Sequence, residues 1–99
     1  MATIDGAKAM GLDAEIGSIE RGKKADVSVI RLDRLHTTPP AEVISSLVYS
    51  AAPEDVDTVL IDGSLVMSEG KLLTIDDRET IAMATAEAEK LMIRAKVSV

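Results

Sequence analysis

The stretch "VDTVLIDGSLVMSEGKLLT", Val56 to Thr74, decides the fold class. Two apolar runs flank Asp62-Gly63, a dipeptide that suits a type I′ turn because both central residues there need φ > 0. A second two-residue break, Glu69-Gly70, leads into Lys71, Leu72 and Leu73. The spacing predicts a three-stranded antiparallel meander. Val59 and Ile61 fall on one face and Leu60 on the other, followed by Leu65, Val66 and Met67. A strand that is apolar on both faces expects cover on both sides.

Upstream, "ADVSVIRL" is rich in β-branched residues, with Val27 and Val29 on one face and Ser28 and Ile30 on the other. It reads as a further strand. It is entered through "EIGSIERGKK", where Ile16 and Ile19 flank a brief extended step at Gly17-Ser18 and Gly22 supplies a left-handed turn residue. The chain opens on "TIDGAKAMG": Ile4, Ala7 and Met10 recur at helical spacing, and Gly11 sits where a helix ends. Gly6 inside that helix is a place for another element to come close.

Two amphipathic helices complete the pattern. "AEVISSLVYSAA" places Val43, Ile44, Leu47, Val48 and Ala51 on one stripe, with Thr38 expected as its cap, Pro39 and Pro40 in its first turn and Pro53 as its stop. In "IDDRETIAMATAEAEKLMIRAKVSV", Asp76 and Glu79 have capping-box spacing. Ile81, Ala84, Ala88, Leu91, Met92 and Ala95 form its apolar stripe, with Glu79, Glu87, Lys90 and Arg94 largely off it.

Composition sets the bounds. The 99 residues are one domain at most, with 46% hydrophobic side chains, no Trp or Phe, and Tyr49 as the sole aromatic. The net charge is −6 and no basic block exists beyond Arg21, Lys23 and Lys24 around a glycine, which argues against nucleic acid. Without cysteine there is no disulfide framework and no thiolate metal site. The lack of a long apolar run argues against a membrane partner, and a cytoplasmic location is the expectation.

No self-sufficient catalytic constellation stands out, so neither a catalytic, a cofactor-binding nor a metal residue is assigned. His36 is the only histidine, in a Thr-Pro loop near Asp33, and one imidazole with one carboxylate makes no zinc site. The pairs Glu54/Asp55 and Asp76/Asp77 adjoin element starts, where acidic residues serve turns and helix dipoles. Ser45, Ser46 and Ser50 have no histidine close in sequence, and the five methionines read as core filler.

The blocks taken together resemble the C-terminal part of amidohydrolase-superfamily enzymes, in the branch that holds S-adenosylhomocysteine and methylthioadenosine deaminases, cytosine deaminases and triazine chlorohydrolases. The family pattern falls on Ala2, Thr3, Gly6, Ala7, Lys8, Ala9 and Gly11, then on Gly17, Ser18, Ile19, Gly22, Lys23, Ala25 and Asp26, followed by "SSLVYSA" and the meander. The resemblance implies an α+β piece: part of the composite β-sandwich of metal-dependent hydrolases, without the catalytic (β/α)8 barrel. Residues 1–11 would be the remnant of the last barrel helix, 15–74 the strands with one helix, and 76–97 the C-terminal helix. Asp26 would accept backbone N–H groups in a turn.

Full-length members use a divalent metal such as zinc or iron, held by a His-x-His and further ligands that no position here matches. The resemblance therefore implies a structural segment of a hydrolase acting on C–N or C–Cl bonds of a heterocycle, itself without cofactor and inactive alone. The other reading is a stand-alone interaction module that associates with itself. The expected partners are a second copy or the remainder of the enzyme.

Overall fold

The computed structural model describes residues 2–39 and 42–98. The first helix, α1 (Ile4–Ala9), ends as expected, with Gly11 at φ +71°. Its apolar stripe is only half used: Ala7 is buried, whereas Met10 is 73% exposed. The segment after it is a series of turns and bends rather than an extended step at Gly17-Ser18. Gly17 adopts φ +97° and packs its backbone on α1. A Cβ there would lie 2.7 Å from the Ala7 Cβ and 3.0 Å from the Ile4 Cα. This is the close approach that only glycine permits.

The sheet has four antiparallel strands in sequence order: β1 (Val27–Ile30), β2 (Val56–Ile61), β3 (Ser64–Ser68) and β4 (Lys71–Leu72). Val27 opposes Leu60 and Ser28 opposes Val59, and the register shifts between Val29 and Ile30. Both predicted hairpin turns form, with φ of +49° and +76° at Asp62 and Gly63 and +51° and +74° at Glu69 and Gly70. Asp26 accepts a backbone N–H as expected, but from a distant turn: the N–H of Asp62 reaches its Oδ1 at 2.7 Å, and Gly63 N–H donates to the Ala25 carbonyl at 3.0 Å. The entry to β1 thus holds the β2–β3 turn.

The connection from β1 to β2 departs from expectation. Leu35–Thr37 forms a 3-10 turn, and the next helix is capped by Glu42, not Thr38: the Glu42 carboxylate accepts from the Ser45 N–H at 3.3 Å. Instead of three α-helical turns there is a single turn, α2 (Val43–Ser45), that widens into a π turn over Ser46–Ser50. Of the two prolines expected in the first turn, Pro39 precedes the helix, and Pro40 lies outside the described residues, as does Ala41. The stripe is largely exposed, with Leu47 its least exposed large residue at 39%. Pro53 then opens a 3-10 turn, Pro53–Asp55, that leads into β2.

The last helix, α3 (Asp77–Ala95), starts where the capping spacing put it: the Glu79 N–H donates to Asp76 Oδ1 at 3.0 Å. It closes on Lys96 at φ +54°. No residue of α3 is buried. Among the described residues Ala7 is the only buried hydrophobic side chain, so the methionines are not core filler here: Met10 and Met83 are exposed, and Met67 and Met92 are half-buried. The radius of gyration is 18.6 Å, against about 13 Å for a compact domain of this length. None of the described helices is long and apolar enough to cross a membrane.

Candidate functional site: a sealed carboxylate between two loops

The chemistry-bearing residues meet at one place, the junction of the two loops that join β1 to β2. Asp55 ends the 3-10 turn and has no solvent-exposed surface. Its main chain is fixed first: its carbonyl accepts from Arg31 N–H at 2.7 Å, and its own N–H donates to the Ala52 carbonyl at 3.0 Å. Its side chain turns back on the same turn, where Oδ2 accepts from the Ala52 N–H at 2.8 Å. That is the turn-forming role expected of an acidic residue at an element start. His36, from the other loop, places Nε2 2.5 Å from Oδ2, and the Arg34 Nε lies 3.3 Å from Oδ1.

The loop that presents these two side chains is itself braced. Thr37 is buried, and its hydroxyl accepts from the Arg34 N–H and donates to the Arg34 carbonyl, both at 3.1 Å. This hydroxyl fixes the turn from which Arg34 and His36 project. Asp33, the carboxylate nearest to His36 in sequence, is engaged elsewhere, in a two-pronged pair with Arg31 at 3.1 and 2.8 Å.

The Asp55 carboxyl is held below the usual carboxylate range. The Ala52 N–H is the largest cause, followed by the His36 hydrogen bond; burial opposes them, and the charges of His36 and Arg34 add to the lowering. The cover over Asp55 is thin, because the side chains of Arg34 and His36 remain 46% and 45% exposed. Oδ1 is the one described buried side-chain oxygen without a hydrogen bond, and the Arg34 guanidinium compensates it by charge alone.

An imidazole on a buried carboxylate invites comparison with a nucleophile-activating pair. Such a pair needs the far ring nitrogen aimed at a hydroxyl or thiol. Here Nε2 is spent on Asp55, the nearby Thr37 hydroxyl is spent on Arg34, and the chain has no cysteine. Nor do the described residues fit the divalent metal that the resemblance implies. No group of three or more His, Cys, Asp or Glu side chains is placed to hold an ion. A guanidinium 3.3 Å from Asp55, the only buried carboxylate among the described residues, opposes a cation electrostatically. The arrangement clamps two loops. Sequence reading assigned His36 no partner and did not connect it with Asp55, whose pairing with it spans 19 residues; the one available signal was the position of Asp55 at a strand entrance.

Known proteins bear on this geometry. Residues 1–66 match the amidohydrolase family. The 5-methylthioadenosine/S-adenosylhomocysteine deaminase of Moorella thermoacetica is 43% identical over 90 residues, which are 91% of this chain and 21% of that protein. A zinc-bound adenosine deaminase from Xanthomonas campestris superposes with a TM-score of 0.87 at 35% identity, over 93% of this chain and 21% of that one. Triazine hydrolase from Arthobacter aurescens shares the fold, with a TM-score of 0.77 at 23% identity over 87% of this chain and 19% of that one. The chain thus spans about a fifth of the length of the relatives it matches. With the family match covering residues 1–66 and the fold shared over 93% of the chain, the chain belongs to the amidohydrolase family.

Proposed function

We propose that the chain is the C-terminal structural segment of a hydrolytic deaminase for adenosine-like nucleosides, and that the catalytic groups lie in the part of such an enzyme that this chain does not include. Residues 1–11 serve as the end of the barrel, 15–74 as its share of a composite sandwich, and 76–97 as a C-terminal helix. The substrate class rests on relatives described as deaminases of methylthioadenosine, S-adenosylhomocysteine and 5′-deoxyadenosine. Cleavage of a C–Cl bond has less behind it, because the triazine hydrolase is similar only in fold.

Exposure is the observation that carries the reading. A sheet and three helices leave Ala7 as the only buried apolar side chain among the described residues, while the chain matches a fifth of a larger enzyme. So much uncovered apolar surface asks for a partner.

The test is reconstitution. The chain is co-expressed with the Moorella thermoacetica relative lacking its matching residues, and deamination of methylthioadenosine is followed. Activity only when both polypeptides are present is expected. Deamination by this chain alone, with stoichiometric metal, would overturn the reading.

A further inference from the structure

We infer that α3 is a self-complementary helix that pairs antiparallel with α3 of a second copy of this chain, about a two-fold axis near Ala88 and Leu91. This inference goes beyond the proposed function and does not rest on it. Its starting point is spacing. Ile81, Ala84, Ala88, Leu91 and Ala95 follow one another at intervals of three and four residues, the seam of a two-stranded coil. All five positions are exposed, with Ile81 at 65% and Leu91 at 55%. Three of the five are alanine, which lets helix axes come close. An apolar groove lined by Thr85, Ala88, Glu89, Met92, Ile93 and Val97 runs beside the seam.

The charges name the occupant. Glu87 and Arg94 occupy equivalent positions on one flank of the seam, one heptad apart. In an antiparallel pair such flanks face each other. When Ala88 meets Leu91 of the second copy and Ala84 meets Ala95, Glu87 comes opposite Arg94, and the two-fold axis makes that ion pair twice. A parallel pair would set Glu87 against Met92 and leave both charges unmatched. Glu87 now bonds Lys90 at 2.6 Å, but both side chains are largely exposed, and such a pair holds its partners weakly.

The experiment is a charge swap on the whole chain, with molar mass read by light scattering at micromolar concentration and helicity by circular dichroism. The wild-type chain is expected to be a dimer. Glu87→Arg and Arg94→Glu should each weaken it by about tenfold or more through like-charge contacts, and the double variant should return to near wild-type affinity. Ala88→Glu should give a monomer of unchanged helicity, and Met83→Glu, off the seam, should stay dimeric. A wild-type monomer, a dimer indifferent to Ala88→Glu, or single variants not rescued by the double would each overturn the inference.

Discussion

Asp55 and α3 treat polar and apolar groups in opposite ways. Around Asp55, a charged side chain is sealed from solvent and surrounded by an N–H, an imidazole and a guanidinium. On α3, side chains that belong in a core stand in water, with Ile93 at 78% exposure. In most small domains the distribution is the reverse. The contrast shows what holds this chain together by itself. Its internal order comes from turns, hydrogen bonds and one ionic clamp, whereas its hydrophobic capacity is directed outward. Stability within the chain should therefore respond to backbone and polar changes, and hardly at all to apolar changes on α3.

The strongest way to break the contrast is Gly17→Val. The added Cβ would meet both Ala7 and the Ile4 backbone, at a φ of +97°. Strain and overpacking together should cost about 2–5 kcal/mol. Hydrogen exchange at Ala7 and Leu12, whose amides close the α1 turn, is the measurement; unchanged protection would refute the contact.

Asp55→Ala should come next, because it leaves the Ala52 N–H and the His36 ring without their hydrogen-bond partner and Arg34 without its counter-ion. It also sharpens the pH dependence. The folded-state pKa of Asp55 is lowered, so the stabilisation is present above the unfolded value and is lost as pH falls through the folded one. Denaturant midpoints of the wild type should fall below about pH 4, the range of an unperturbed aspartate, and those of Asp55→Ala should fall less steeply. Parallel curves would remove the clamp from the account.

Gly63→Val tests a turn in open space, since a Cβ there meets nothing within 4 Å. Only the backbone at φ +76° resists, and a loss of about 1–3 kcal/mol in a denaturant melt is expected. An equal midpoint would mean that another turn geometry serves as well. Met83→Ser, on the exposed side of α3, should shift the midpoint by less than about 0.5 kcal/mol. A larger loss would show that α3 packs inside the chain after all.

The legible and illegible parts of this molecule differ in range. Asp62-Gly63 and Glu69-Gly70 announce their turns because the required φ values lie in the dipeptide itself. Asp76 announces α3 for the same reason: the N–H it accepts belongs to Glu79, three residues on. The strand Val27–Ile30 is readable from its β-branched side chains. What failed is what depends on the other side of a loop. The helix expected from Ala41 to Ala51 shrank because its apolar stripe has nothing to pack on, and periodicity alone does not hold a helix in water. The pairing of His36 with Asp55 was hidden by the intervening chain, and Asp33, close to His36 in sequence, is taken up by Arg31.

The clamp at Asp55 has a consequence for how the chain tolerates change in length. It joins Arg31, Arg34 and His36 to the doorstep of β2, so the ends of the intervening loop are already held together by local bonds. Closing a loop costs entropy that grows only logarithmically with its length, and doubling it adds about 0.6 kcal/mol. Additional sequence placed in the β1–β2 connection would lengthen a segment whose two ends these bonds already hold together. The β1–β2 connection is therefore the natural place for an insertion, a tag or a reporter domain, and the tight turns at Asp62-Gly63 and Glu69-Gly70 are the places to leave alone.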